Sequence, residues 1–190
     1  MGRAPRADAC RNRDRLLACA SAAFASEGVE APLERIAKDA GVGIGTLYRH
    51  FPNRDSLMEA VYRHNLEQML ADAEELLATK PPVEALAEWM QRFVAYVATK
   101  KGLAAHLKTV VSADSDLFTS SQERMNAMMQ RMVEAAIADG GIRPDVDASD
   151  VLRALAGVCM TSDMTRSQDQ PCRIATLLMD GLRYGAPART

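Results

Sequence analysis

Apolar residues recur along this chain at helical spacing from near the start to near the end. Leu17, Ala20, Ser21 and Phe24 make a stripe three and four residues apart, which predicts a helix over 13–26 stopped by Gly28. Leu33, Ile36, Ala37 and Ala40 make a second, shorter stripe, with Glu34, Arg35, Lys38 and Asp39 pointing away from it. Gly41 closes that helix and Val42 fills the corner after it. Leu47 and Phe51 then mark the inner face of a third helix. Pro52-Asn53-Arg54-Asp55 ends the third helix and starts a fourth, with Asn53 or Asp55 as its cap. Leu57, Val61, Leu66, Met69, Leu76 and Leu77 extend this fourth helix as an amphipathic rod over 55–78, up to Pro81-Pro82. Five further helical patterns follow, over 83–99, 103–113, 116–138, 148–165 and 171–184. They are separated by Lys100-Lys101-Gly102, Asp114-Ser115, Gly140-Gly141 with Pro144, and 167–170. No stretch alternates long enough for a sheet strand, so the expected fold is all-α with about nine helices.

The stretch from Leu33 to Arg54 carries the first chemical signal. Two short helices joined steeply across a glycine turn form a helix-turn-helix. Ala37 is small at the crossing, and Ile36, Val42 and Leu47 fill a miniature core. The second of the two is short and holds Gly43 and Gly45, a poor helix by intrinsic propensity. A bulky residue near its start would keep a backbone away from whatever it approaches, and a DNA backbone or base edge suits such a surface. Thr46, Tyr48, Arg49, His50 and Arg54 can donate to phosphates, while Ile44 and Gly45 lead toward base edges.

Charge supports this placement. The chain of 190 residues has a formal net charge of −2, an unusual value for a nucleic-acid binder with evenly spread charge. Residues 1–54 hold nine Lys and Arg against six Asp and Glu, a net of +3, which leaves −5 for the remainder. Positive potential thus sits where phosphates would lie. Cys10, Cys19, Cys159 and Cys172 show no CxxC or Cys/His ligand spacing, and His50, His64 and His106 are scattered. Four free thiols in a reducing cytoplasm are expected, with no metal site. Leu16-Leu17-Ala18-Cys19 imitates a lipid-attachment box, but Arg11-Asn12-Arg13-Asp14-Arg15 stand where seven or more apolar residues are needed. No run approaches 18 apolar residues, so no membrane span is expected.

The second half offers two further candidates. Trp89, Phe93, Tyr96, His106, Phe118, Met125, Met129 and Met160 are large or soft, with Met128, Met132 and Met164 beside them. They form either an ordinary core or the lining of a cavity for an apolar or aromatic small molecule, oriented by His106 or Tyr96. The pattern leaves both open. On the helix over 148–165, Leu152, Leu155, Ala156 and Cys159 lie on one stripe, and Val151, Ala154 and Val158 on another. The last helix carries Ile174, Leu177, Leu178, Gly181 and Leu182 along one face. Two such helices from each of two chains make a four-helix interface about a two-fold axis. The expected dimer residues are Leu152, Leu155, Cys159, Ile174, Leu177, Leu178, Gly181 and Leu182. A homodimer also follows from the few base pairs that one short helix can read. No nucleophile–base spacing, phosphate-cradling loop or acid pair appears, so neither an enzyme nor a cofactor is expected.

The run IAKDAGVGIGTLYRHFPNRDSLMEAV, preceded by RLLACASAAFASEGVE, resembles the amino-terminal domain of the TetR family of bacterial transcriptional regulators over roughly residues 11–65. The matching positions are Ala22-Ala23-Phe24, Gly28, Ile36-Ala37, Ala40-Gly41-Val42, Thr46-Leu47-Tyr48, His50-Phe51, Arg54 and Leu57. The resemblance implies phosphate contacts at Thr46, Tyr48, His50 and Arg54, and a groove-facing set of Ile44, Gly45 and Arg49. One departure stands out: where the family usually has Thr or Ser opening the first motif helix, this chain has Ala31-Pro32, and the capping hydroxyl is missing. The resemblance also implies an effector pocket in the second half. Three segments are then expected: a flexible arm over 1–10, a helix-turn-helix DNA-binding domain over 11–54, and an effector-binding and dimerisation domain over 55–190. The implied function is a cytoplasmic repressor, released from a palindromic double-stranded DNA operator by a small apolar or aromatic molecule. The alternative is a DNA-bound adaptor that has no ligand and recruits a protein partner.

Overall fold

The computed structural model describes residues 5–110, 116–161 and 169–185, with the side chains of 5–9, 98–101, 160 and 161 excepted. Among the described residues every element is an α-helix: α1 (Pro5–Glu27), α2 (Leu33–Asp39), α3 (Ile44–His50), α4 (Arg54–Thr79), α5 (Pro82–Val110), α6 (Leu117–Ala138), α7 (Ala148–Thr161) and α8 (Asp169–Arg183). The chain forms two compact units. One comprises Met1–Asn65 and Thr99–Ser115, the other Leu66–Ala98 and Asp116–Thr190.

In the first unit α1 begins at Pro5, so residues 5–10 are helical where an arm over 1–10 was expected; residues 1–4 lie outside the described residues. Proline suits a first helical position. Leu16, Leu17, Ala20 and Phe24 turn inward. Gly28, at φ +83°, ends the helix in the left-handed region. α2 packs against both α1 and α3. Its end is closed by Val42 N–H donating to Ala37 O at 2.9 Å and Gly41 N–H to Lys38 O at 3.0 Å, the paired bonds of a Schellman close. Ser56 N–H donates to Asn53 Oδ1 at 2.8 Å and Asn53 N–H to Ser56 Oγ at 3.2 Å, so Asn53 is the cap of α4.

The separate helices expected over 83–99 and 103–113 are one helix, α5, which runs through Lys100-Lys101-Gly102. Glycine inside a helix costs roughly 1 kcal/mol against alanine. Burial of Leu103 and Leu107 in the next two turns offsets that cost, and Gly102 lies beside Val29, with an added Cβ 3.9 Å from Val29 Cγ1. The first unit, the head of the molecule, therefore takes in the first part of α4 and the last part of α5, a wider extent than the 11–54 segment expected.

The second unit is built on Trp89, which is fully buried and donates from Nε1 to Met69 O at 3.0 Å. Its ring stacks on Phe93 at 5.3 Å, and Phe93 meets Tyr96 at 5.8 Å. Met125, Met128, Met129 and Met132 of α6 and Leu152, Leu155 and Cys159 of α7 belong to the same core. Outside that core, α4 and α6 carry two forked ion pairs seven residues apart. Arg124 donates to both carboxylate oxygens of Glu67 at 2.6 and 2.8 Å, and Arg131 grips Glu74 in the same way. The arginine hydrogen bonds hold both carboxyls below the usual glutamate range. A depressed carboxyl stabilises the fold above its unfolded-state pKa and loses that contribution as pH falls through its folded value. Acid unfolding followed by Trp89 fluorescence is therefore expected to move to higher pH in the double variant Glu67→Gln, Glu74→Gln, with little change in stability at high salt and neutral pH.

Candidate nucleic-acid interface

α3 is a seven-residue helix with a single fully buried side chain, Leu47. At about 100° per residue, Gly45 and Arg49 lie within roughly 20° of the direction opposite Leu47, and Tyr48 and Thr46 flank them at roughly 80° on either side. Exposure follows that geometry. Tyr48 is 45% exposed and Ile44 36%, Gly45 and Arg49 are exposed, and Thr46 and His50 are half-buried. Neither Tyr48 nor Arg49 makes a hydrogen bond or ion pair among the described residues. His50 sits against Phe51, ring centroids 6.1 Å apart, and the guanidinium of Arg13 stands 5.7 Å over the Phe51 ring. Arg13 thus joins Arg49 in bringing positive charge to one end of α3, and Arg13 was not among the residues singled out in the sequence. Nothing in its spacing marks it, because only the fold brings α1 beside Phe51.

The glycines of this motif have opposite reasons for being there. Gly41 has φ +68°, which only glycine adopts without penalty, and the nearest atom to an added Cβ is Arg15 Nη1 at 4.0 Å. Gly43 and Gly45 have ordinary backbone angles, and an added Cβ there meets nothing within 4 Å. The chain's own packing does not ask for glycine at 43 or 45; a surface approaching from outside would. Gly41→Ala is expected to destabilise the protein by about 1–2 kcal/mol. Gly45→Ala should stabilise it by about 0.5 kcal/mol, yet weaken any partner that α3 approaches closely. Thermal unfolding and a binding titration on the same two variants check both signs.

Two residues expected at ligands are held elsewhere. Arg54, expected on a phosphate, donates from Nη1 to Val29 O at 2.7 Å and Ala31 O at 2.8 Å, and its side chain is half-buried. His106, expected as the polar handle of a ligand cavity, belongs to the head's unit, where its Nε2 lies 2.9 Å from Asp55 Oδ1. Of the remaining cavity candidates, Trp89, Phe93, Tyr96, Met125 and Met129 share the core of the second unit. Phe118 is half-buried in the first turn of α6, and the side chain of Met160 lies outside the described residues, as does Met164.

A second exposed face lies in the second unit. A groove of about 660 Å3 is lined by Val151, Ala154 and Val158 of α7, by Ile174, Leu177, Leu178, Gly181 and Leu182 of α8, and by Arg143, Asp145, Val146, Asp147 and Asp150 at its rim. Leu177 is 69% exposed. Of the two stripes on α7, the one expected at a dimer interface, Leu152, Leu155 and Cys159, is buried in the chain's own core, and the other lines the groove. Periodicity shows that α7 is apolar on two sides but cannot say which side the chain keeps for itself. The rim is ionised: the Arg143 guanidinium holds the Asp145 carboxyl below the usual range, and hydrogen bonds from Ser149 lower that of Asp147. Burial pushes the Cys159 thiol up, away from the thiolate that redox chemistry needs. Among the described residues no helix is long and apolar enough to cross a membrane, and no cluster of side chains could hold a metal ion.

Comparison with known proteins matches both units. A family model described as bacterial regulatory proteins, tetR family, covers residues 16–61, and one described as transcriptional regulator SbtR-like, C-terminal domain, covers residues 81–184. The crystal structure of TetR transcriptional regulator SCO0520 from Streptomyces coelicolor is 42% identical over 92% of this chain and 99% of that one, with a TM-score of 0.84. A TetR transcription regulatory protein from Mycobacterium vanbaalenii is 34% identical over 94% of this chain and 98% of its own, with a TM-score of 0.76. The HTH-type transcriptional repressor KstR2 of Mycolicibacterium smegmatis is 29% identical over 154 residues, 74% of this chain and 72% of that protein.

Proposed function

Because the chain belongs to the TetR family of bacterial transcriptional regulators, which are not enzymes, we propose that it acts as a dimeric repressor that α3 seats on a palindromic operator and that a small molecule releases. The observation that carries the DNA-binding part is the outward face of α3. Gly45 and Arg49 point away from the core, Tyr48 stands beside them without a side-chain partner among the described residues, and glycine occupies positions where the chain has room for a Cβ. Gly45 lets the helix backbone approach the duplex, Ile44 and Arg49 reach the base edges, and Thr46, Tyr48 and His50 hold phosphates on either side. The name of the repressor from Mycolicibacterium smegmatis supports repression as the direction of control. Such a protein works in the cytoplasm, where its operator is.

The dimer is assigned to the α7–α8 groove. Leu177 projects from an apolar surface whose rim carries Arg143, Asp145, Asp147 and Asp150, and a second copy about a two-fold axis would bury it in a four-helix packing. Release follows from differential binding. α4 is one helix whose residues up to Asn65 belong to the head's unit and the rest to the other. A ligand that prefers one arrangement of α4 changes the separation of the two copies of α3, and a coupling of about 1–3 kcal/mol lowers operator affinity five- to hundredfold.

A specific observation favours the second reading, an adaptor without a ligand. Trp89, Met90, Met129 and Met132 are fully buried, and the 660 Å3 groove is lined by none of them. A ligand seated among these four side chains would displace the methionines of α6, which their flexibility allows. The deciding experiment challenges the operator complex with a panel of apolar and aromatic small molecules while Trp89 fluorescence is followed. A compound that quenches Trp89 and dissociates the complex supports the regulated repressor. A panel that leaves both signals untouched, with a protein partner recovered on the operator, supports the adaptor.

A further inference from the structure

Arg54 opens α4 directly after the turn that follows α3, where the family resemblance implies a phosphate contact. In this structure it is held within the chain. Both N–H groups of Nη1 are taken up by the carbonyls of Val29 and Ala31, in the loop between α1 and α2. That loop is short of local support. Pro32 stands at the N-cap of α2 with no side chain bonding the first amides of the helix, and the loop's own backbone bond, Ala31 N–H to Gly28 O, is at 3.2 Å, the upper end of the ordinary range. Val29 of this loop lies beside Gly102 of α5. A hydroxyl at the N-cap would tie the first turn of α2 from within. In this chain a planar guanidinium from the start of α4 ties the two carbonyls just before it.

We infer that Arg54 is a positioning residue for DNA binding: by clamping Val29 and Ala31 in place of the missing N-cap hydroxyl, it seats α2 and so sets how α3, which packs on α2, meets the duplex. The inference rests on the proposed reading of α3 as the DNA-reading helix. It differs from a phosphate contact in what it predicts, because a clamp acts in the free protein and a phosphate contact does not.

The test compares full-length parent, Arg54→Ala, Pro32→Ser and the double variant, by amide hydrogen exchange without DNA and by operator binding at several salt concentrations. In Arg54→Ala the amides of residues 28–36 are expected to exchange at least about tenfold faster, while those around Trp89 keep their protection. Operator affinity should fall about tenfold or more, with the slope of log affinity against log salt changed by less than about half a unit. Adding Pro32→Ser should recover most of the loss, and in the Pro32→Ser background removing Arg54 should cost less than about threefold, a comparison that stays informative if Arg54→Ala alone folds poorly. Unchanged exchange in the free protein, together with a slope shallower by about 1.8 for two lost phosphate contacts per dimer and no rescue by Pro32→Ser, would overturn the inference. If the parent binds no DNA, the reading of α3 fails, and the exchange data still decide whether Arg54 holds the loop.

Discussion

Replacing Tyr48 and Arg49 together with alanine is expected to lower operator affinity by about a hundredfold or more, while helix content, thermal midpoint and mass in solution stay at their parental values. The separation of the two effects follows from where these side chains are. Both are exposed, and neither has a hydrogen-bond or ion-pair partner among the described residues, so nothing inside the chain is lost with them. Each direct contact to a base or phosphate contributes about 1–3 kcal/mol, and in a dimer every contact occurs twice. A hundredfold loss is only about 2.7 kcal/mol, below the roughly 4–12 kcal/mol to which four such contacts add up, and so is a lower bound. The comparison variant is Leu47→Ala on the same helix. Leu47 is fully buried, so its truncation should cost about 2–5 kcal/mol of stability and reduce binding only through unfolding of the head. Equal loss of stability in both variants would mean that Tyr48 and Arg49 serve the fold.

The second large effect is expected from Leu177→Glu. In the isolated chain Leu177 is 69% exposed, so a carboxylate there costs the monomer almost nothing. In a four-helix interface the same carboxylate would lose its water among Ile174, Leu178 and Val158 and their symmetry mates, near Asp147 and Asp150 of the rim. The variant should sediment as a folded monomer at micromolar concentration and lose specific DNA binding by at least two orders of magnitude, because a single short helix holds too few base pairs. Leu155→Glu is the contrasting case. Leu155 is fully buried in the chain's own core, and a carboxylate there should unfold the second unit outright. A dimeric Leu177→Glu protein would remove the groove from the interface.

The head was readable in the sequence because its parts are local. The spacing of Leu33, Ile36 and Ala37, the left-handed turn at Gly41 and the inward Leu47 all lie within about one helical hairpin, and the structure has them as the pattern implies. What was not readable depends on long-range packing. Residues 5–10 are helical without an apolar stripe to mark them. The continuity of α5 through Gly102 rests on burial of Leu103 and Leu107 and on Val29, more than 70 residues earlier. Arg54 and His106 were each read as reaching outward to a ligand, yet their partners, Val29 with Ala31 and Asp55, are 23 to 51 residues away in the chain. On α7 the two apolar stripes are equivalent by period, and only the placement of α6 and α8 makes Leu152, Leu155 and Cys159 the inner one.

A salt-dependent titration of the full-length protein on DNA from upstream of its own gene, with the mass of the complex measured alongside, tests the central claim most directly. The account predicts dimers saturating a palindromic site, with log affinity falling against log salt at a slope of about −5 or steeper, as six or more phosphate contacts require. Weak binding by monomers, indifferent to sequence, would contradict it.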